Sequence, residues 1–119
     1  MHSILLVDDE PDILAAWRLI LESEGYAVGC ASNGAEAIAR TASHVPDLII
    51  TDWMMPIMGG AELCRRLKAM PHLAGVPILI HSAVPPLEGE VENWNACLRK
   101  PAGTTLFLTT VARLCKRGH

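Results

Sequence analysis

Three short segments that are almost entirely apolar, each followed by polar residues, constrain the fold of this chain more than any other feature. They run from Ile4 to Val7, from Leu48 to Thr51 and from Val76 to Ile80, and they are followed by Asp8-Asp9, Asp52 and His81-Ser82. Apolar runs of this length are typical of β-strands that are covered on both faces, as in parallel sheets. The sequence therefore predicts a buried parallel sheet.

Amphipathic helical patterns alternate with these strands. The apolar residues from Ile13 to Leu21 recur on one helix face, with Pro11 in the first turn and Gly25 at the end. Further helices are predicted at Ala35 to Ala42, Leu63 to Met70 and about Thr104 to Lys116, and weaker strands at Ala27 to Ala31 and Ala96 to Leu98. A poor helix candidate, short or irregular, lies between Leu87 and Trp94. This order predicts an α/β fold: a flavodoxin-like, doubly wound, five-stranded parallel sheet in the order 2-1-3-4-5.

Length and composition limit the function classes. The 119 residues suit one domain, 1–119, and the net charge of −3 with 4% aromatic residues argues against direct nucleic-acid binding. No apolar run approaches the roughly 20 residues that span a bilayer, and acids cut off the first apolar run before it could serve as a signal peptide. The four cysteines form no C-x-x-C pair, which predicts reduced thiols and no zinc site. We expect a cytoplasmic protein without membrane contact.

The polar residues that end the strands should meet, because the carboxyl ends of parallel strands share one edge of the sheet. They are Asp8, Asp9, Asp52, Ser82 and Lys100. Carboxylates at one edge repel one another, and Mg²⁺ is a hard cation that relieves this repulsion through oxygen ligands. A carboxylate can then act as a nucleophile toward a phosphoryl group, whose oxygens a metal ion and a lysine neutralise. This set predicts a phosphoryl-handling site.

Each of these residues also has an ordinary structural explanation. The acids Asp8, Asp9 and Glu10 could simply be stabilised by the positive end of the first helix dipole, and Asp52 could be a turn residue. Lys100 alone could be a solvated charge and Ser82 a cap. The three methionines that follow Asp52 are expected in loop and core packing rather than as soft-metal ligands. Only the complete combination favours the phosphoryl-handling site.

With these residues in order, the chain resembles the receiver domains of two-component response regulators from Ile4 to about Lys116. The matching motifs are the acidic pair Asp8-Asp9, Asp52 with Met55-Pro56, Met58 and Gly60, then Ser82-Ala83, and Lys100-Pro101. The resemblance implies that a sensor histidine kinase or phosphotransfer protein phosphorylates Asp52, with an unknown downstream effector as the output partner.

The resemblance also assigns roles within the site. It implies that Asp9, Asp52 and the carbonyl of Met54 ligate Mg²⁺, with Asp8 acting through water. Lys100 would pair with the phosphoryl group and Ser82 would hydrogen-bond it. The Lys100-Pro101 peptide is expected to be cis.

The chain departs from the family pattern around the switch. Most receivers carry an aromatic residue three positions before the lysine, where this chain has Cys97, so the usual partner of Ser82 in the switch is replaced by a small side chain. The segment from Ser82 to Lys100 is several residues shorter than is typical. Met54 and Val84 flank the expected site with apolar groups that cannot position an attacking water, which predicts slow autodephosphorylation.

Other functions remain to be weighed against this one. An interaction module that works without phosphorylation stays the alternative. A haloacid dehalogenase type of phosphohydrolase needs an aspartate where Met54 stands, and no glycine-rich phosphate loop follows the first strand. We expect no enzyme activity toward a separate substrate, no cofactor besides Mg²⁺, and a sequence compatible with a homodimer. Trp17 is expected in the core, and His81, on the opposite side of its strand from Ser82, is expected to be structural.

Overall fold

The computed structural model describes residues 1–84, 86 and 94–117; for residue 117 it describes only the backbone. Its five parallel strands form one sheet in the order β2-β1-β3-β4-β5. The strands are β1 (Ser3–Val7), β2 (Ala27–Ala31), β3 (Leu48–Thr51), β4 (Ile78–Ser82) and β5 (Ala96–Arg99). The helices among the described residues are α1 (Pro11–Ser23), α2 (Gly34–Thr41), α3 (Gly60–Ala69) and α4 (Thr104–Arg117). The predicted flavodoxin-like fold and strand order are confirmed.

Side chains of alternating strand residues enter two separate cores, one on each face of the sheet. Leu5, Ile49 and Ile80 join the core beneath α2 and α3, whereas Leu6 and Ile50 join the core beneath α1 and α4. Because both faces are covered, the central strands β1, β3 and β4 have to be apolar at nearly every position. This explains the continuous apolar runs in the sequence.

The boundaries follow from local chemistry. Asn33 caps α2 by accepting a hydrogen bond from the Glu36 amide at 2.9 Å, so this helix begins at Gly34 and not at the predicted Ala35. Pro11 occupies the first turn of α1, and Gly25 takes a φ of +93° beyond its end. The predicted third apolar strand begins later than expected, at Ile78, because Val76 still belongs to the turn that its amide closes onto Leu73.

The structure also bears on the predictions for Trp17, the four cysteines and the segment before β5. Trp17 is only half-buried, but its ring stacks on Phe107 with centroids 3.7 Å apart, on the α1 and α4 side of the sheet. All four cysteines are free thiols. The expected short or irregular helix between Leu87 and Trp94 lies outside the described residues except for Trp94, which packs against the α2 and α3 core.

Candidate functional site at the carboxyl edge of the sheet

The backbone places three charged residues side by side at the carboxyl edge. The Asp8 amide donates to the Ala31 carbonyl at 3.1 Å and the Asp52 amide to the Val7 carbonyl at 3.0 Å. The Lys100 amide donates to the Ser82 carbonyl, also at 3.0 Å. Each site residue therefore continues the hydrogen bonding of the sheet by one step, which fixes its position before its side chain makes any contact.

The Lys100 ammonium lies between two buried carboxylates. Its Nζ is 2.7 Å from Asp8 Oδ2 and 3.3 Å from Asp52 Oδ2, and Glu10 Oε1 is 3.9 Å away. The side chains of Lys100, Asp8 and Asp52 are only 11%, 3% and 8% exposed. Ionised groups this deeply buried need partners, and here one cation serves two buried anions. The site therefore carries excess negative charge.

Burial and the neighbouring groups together raise the pKa values of both Asp8 and Lys100. Burial is the largest influence on Asp8 and raises the pKa of its carboxyl, although the hydrogen bond from Lys100 opposes the rise. Burial alone would lower the pKa of Lys100, but its bonds to Asp8 and the charge of Asp52 outweigh that effect and raise it. Lys100 therefore stays an ammonium at neutral pH.

Three consecutive acids form a group of oxygens beside this lysine. Asp8, Asp9 and Glu10 offer carboxylate oxygens that all lie within 4.8 Å of one another, with Asp8 buried and the other two exposed. The turn is closed by the Glu10 amide, which donates to Asp8 Oδ1 at 3.0 Å. The sequence analysis weighed Glu10 together with Asp8 and Asp9 as acids that could favour the start of α1, and Glu10 does form the N-cap of this helix. Glu10 was not among the predicted site residues, although its position directly after two acids was the available signal.

Lys100 links Asp52 to this group of acids, because its ammonium pairs with both Asp52 and Asp8. Asp52 Oδ1 accepts a hydrogen bond from the amide of Trp53 at 2.7 Å, while Oδ2 faces the ammonium. The structure thus brings together Asp8, Asp9, Asp52 and Lys100 as the sequence predicted. Met54 lies in the loop that follows, and its side chain is 64% exposed.

Ser82 reaches the same edge, but its hydroxyl bonds to its own loop. Its Oγ donates to the Val84 carbonyl at 3.1 Å and accepts from the Val84 amide at 3.3 Å. Cys97 is half-buried and packs against the α2 and α3 core, where burial raises the pKa of its thiol. The two predicted switch residues therefore lie on neighbouring strands, since β4 pairs with β5.

His81 lies behind the site, on the other face of β4. Its ring meets Trp17 and Phe107 edge to face, with centroids 5.6 and 5.1 Å apart, and its buried Nε2 has no hydrogen-bond partner among the described residues. Burial lowers the pKa of His81 to about 4, and the Lys100 charge adds to this effect. The imidazole is therefore neutral at physiological pH, as its predicted structural role requires.

A model of the response regulator receiver domain matches residues 4–110. The chain belongs to this family. The motifs that carried the resemblance are thus those of a true receiver domain, and the Lys100-Pro101 peptide is cis, as the resemblance implied.

Curated relatives include transcriptional regulators and a sensor kinase. The chain is 41% identical over 83 residues to the phosphate regulon transcriptional regulatory protein PhoB of Rhizobium meliloti, covering 70% of this chain and 37% of that protein. It is 33% identical over 121 residues to the transcriptional regulatory protein KdpE of Mycobacterium tuberculosis, covering 98% of this chain and 52% of that protein. This receiver domain thus spans about half or less of these relatives.

Solved structures give the same fold. A CheY-like response regulator receiver domain protein from Methanospirillum hungatei superposes with a TM-score of 0.91 at 26% identity, over 99% of this chain and 96% of the other. The response regulator TrrA of Thermotoga maritima, solved in complex with Mg²⁺ and BeF, gives 0.87 at 28% identity, over 96% and 99%. Within the described part of this receiver domain, every helix falls short of what a membrane crossing requires.

Proposed function

We propose that this receiver domain is a phosphoacceptor switch in which Asp52 accepts a phosphoryl group from a sensor histidine kinase or a phosphotransfer protein. The observation that supports this proposal most directly is the position of the Lys100 ammonium, 2.7 Å from Asp8 and 3.3 Å from Asp52. A buried cation beside a carboxylate at a sheet edge can offset the charge on the oxygens of a group transferred to that carboxylate.

The residues present fit a Mg²⁺ ion. The side-chain donors are carboxylate oxygens, a type that Mg²⁺ prefers, and those of Asp8, Asp9 and Glu10 lie within 4.8 Å of one another beside an excess of negative charge. We infer that Asp8 and Asp9 hold the ion with Asp52 and the carbonyl of Met54. When bound, Mg²⁺ supplies positive charge that balances the oxygens of the transferring phosphoryl group.

The proposed step uses one carboxylate oxygen of Asp52. This oxygen attacks the phosphorus of the donor, and a new O–P bond forms while the bond from phosphorus to the donor nitrogen or oxygen breaks, with its electron pair leaving on the donor. The product is an aspartyl phosphate. Lys100 keeps its proton throughout and pairs with the phosphoryl oxygens. Water later attacks phosphorus, the O–P bond to Asp52 breaks with its electron pair staying on the carboxylate, and inorganic phosphate leaves, so the domain acts on no separate substrate.

Release of the phosphoryl group is proposed to be slow. Met54 and Val84, two residues after Asp52 and Ser82, are expected to flank the site; they are 64% and 60% exposed and apolar, and neither can accept a proton or orient water. For the switch itself, the Ser82 hydroxyl would exchange its bonds with Val84 for one to the phosphoryl group. Cys97 is too small to bury a ring-sized area in response, so we infer that the output surface differs from the usual aromatic switch.

Phosphorylation with a small donor tests the proposal. The purified domain is incubated with acetyl phosphate and Mg²⁺, and its intact mass is recorded. We expect a gain of one phosphoryl group that Asp52→Asn abolishes. The control is Asp12→Asn, which removes an acid of the first turn of α1 that lies outside the site. This variant should be phosphorylated like the unaltered chain.

Two results would contradict the proposal. One is equal phosphorylation of the Asp52→Asn variant, which would place the modification elsewhere. The other is no mass gain with acetyl phosphate or phosphoramidate at any Mg²⁺ concentration. This second result would favour an interaction module that works without phosphorylation.

A further inference from the structure

An open pocket of about 280 Å³ lies at the end of the sheet opposite the carboxyl edge. Its floor is apolar and comes from β1 and β2, with Leu5 and Gly29 as cross-strand neighbours and Pro46 closing one side. Ligand sites of small molecules are concave and mostly apolar, with a few polar groups that fix orientation, and this volume suits a compact ligand. The pocket belongs to no part of the proposed phosphoryl chemistry.

The pocket exists because β2 presents little side-chain volume toward α2. A Cβ atom added to Gly29 would meet only Leu5 Cδ1, at 3.9 Å, so the space above the floor is unfilled. The helix above it ends at Thr41, and the chain then crosses the pocket through Ser43, His44 and Pro46. The empty volume is therefore a consequence of a short helix over a glycine on the sheet.

The rim of the pocket is cationic. Arg40 lines it from the last turn of α2, its side chain is exposed, and the ion pairs among the described residues do not include it. The hydroxyl of Ser3 is already engaged, since His44 Nε2 lies 3.0 Å from it. A ligand that fits this arrangement has an anionic group, which would pair with the guanidinium, and an apolar part, which would lie on the floor of the pocket.

Two carboxylates neighbour this rim along the chain, and both are bonded elsewhere. Asp47 accepts hydrogen bonds from the Ser3 amide at 2.7 Å and from the Ser3 hydroxyl at 3.4 Å. Glu36, one helical turn before Arg40, accepts from the Ser32 amide at 3.1 Å and from the Ser32 hydroxyl at 3.3 Å. Neither acid lines the pocket, whereas Arg40 does.

We propose that this pocket binds a small monocarboxylate with an apolar body, whose carboxylate pairs with Arg40 while the body lies on the Gly29 floor. Such a ligand would contact β1 five residues or fewer before Asp8, at the other end of the strand that carries the acidic cluster. The proposal is independent of phosphorylation at Asp52.

Titration with benzoate tests this proposal. Amide chemical shifts of the ¹⁵N-labelled domain are followed while benzoate is added, and benzamide serves as the uncharged probe of the same shape. We expect saturable shifts at the pocket residues with a Kd of about 0.1–1 mM, and binding of benzamide weaker by roughly tenfold or more.

Two variants and one control make the test specific. Arg40→Gln should weaken benzoate binding roughly tenfold without affecting benzamide, and Gly29→Val should weaken both by filling the floor. Arg113→Gln, which removes an exposed arginine from α4 away from the pocket, should bind like the unaltered chain. Thermal melting confirms that each variant is folded.

Three results would overturn the proposal. They are shifts that do not saturate, equal affinity for benzoate and benzamide, and binding that survives both Arg40→Gln and Gly29→Val. Phosphorylation of Asp52 is measured separately and is expected in every variant, so failure of one proposal is distinguishable from failure of the other.

Discussion

Two adjacent segments at the carboxyl edge are held in different ways. The β3 loop, residues 52–60, is tied to its surroundings at both ends: the Asp52 amide donates to the Val7 carbonyl, and the Gly34 amide of α2 donates to the Met58 carbonyl. At the β4 end, residues 82–84, the Ser82 carbonyl accepts from the Lys100 amide, but the Ser82 hydroxyl bonds to Val84 within the same segment. The residue proposed to take the phosphoryl group thus lies on a fixed loop, whereas the hydroxyl lies where a change of partner costs little.

The largest expected effect comes from breaking the fixed loop. A Cβ atom at Gly60 would lie 2.5 Å from the Asp52 carbonyl oxygen and 2.9 Å from Trp53 Cα, and both are backbone atoms that cannot turn aside. We expect Gly60→Ala to lower the free energy of unfolding by about 2–3 kcal/mol, as overpacking does. Urea denaturation measures it.

Gly75→Ala is the matched control for this prediction. A Cβ atom there would meet nothing within 4 Å, so the change should stay within roughly 0.5 kcal/mol. If Gly60→Ala were as stable as Gly75→Ala, the β3 loop could shift freely, and the contrast between the two segments would be lost.

The second prediction concerns His81, which lies in β4 directly before the β4 end. The folded pKa of His81 is about 4, below the value of about 6.5 expected in the unfolded chain, so between these values only the unfolded state binds the proton. The free energy of unfolding should therefore fall as the pH drops from about 6.5 toward 4, and by pH 4.5 the loss from His81 should be roughly 2.5 kcal/mol.

Comparison with His81→Leu isolates this effect from the other titrating groups. The stability of the unaltered chain relative to this variant should fall between about pH 7.5 and pH 4.5 when both are denatured in urea. His72→Gln, which replaces an exposed histidine, should run parallel to the unaltered chain. A constant difference between the unaltered chain and His81→Leu would mean that His81 titrates normally and that β4 is less tightly packed than the structure indicates.

The third prediction sharpens the comparison through chemistry and rests on the proposed function. Val84→Glu places a carboxylate at the β4 end, where the apolar valine is 60% exposed and cannot orient water. We expect the aspartyl phosphate to hydrolyse roughly tenfold faster, because a positioned base assists the attacking water. Acid-quenched mass spectrometry gives the half-life.

Val45→Glu adds the same charge at an exposed valine before β3, away from the site, and should leave the half-life unchanged. An aspartyl phosphate on the unaltered chain that lasted only seconds would contradict the expectation of slow release. Equal half-lives in Val84→Glu and the unaltered chain would remove Val84 from the route of water.

The sequence predicted the sheet well because its signals are local. Leu48 to Ile50 is apolar at every position, and the acid Asp52 follows after Thr51, which indicates both a buried strand and the edge where its polar residue lies. The same rule predicts that Asp8, Asp52 and Lys100 meet at that edge.

What the sequence could not predict depends on contacts between distant segments. No periodicity indicates that Gly60 must lack a Cβ because of the Asp52 carbonyl, or that the Ser82 hydroxyl bonds to its own loop. Glu10 does occupy the N-cap of α1, where an acid favours the first turn, and only the folded turn shows that its oxygens also lie near those of Asp8 and Asp9. The pocket under Arg40 arises from volume that is missing, which a sequence pattern does not show.

The smallest expected effect lies at the tip of the β3 loop, where the fixed loop is strained. Ile57 has a φ of +70° in a γ-turn that the Met58 amide closes onto the Pro56 carbonyl at 2.8 Å, and its side chain is 85% exposed. A β-branched residue is unfavourable in this region of backbone space, whereas asparagine tolerates it. Ile57→Asn should therefore raise the free energy of unfolding by about 0.5–1 kcal/mol, because it relieves strain and loses little packing.

Val45→Asn, at an exposed β-branched residue whose φ is not positive, should give no such gain. If both variants were equally destabilised in urea, Ile57 would carry no strain, and the order of the β3 loop would come from its glycine contacts alone.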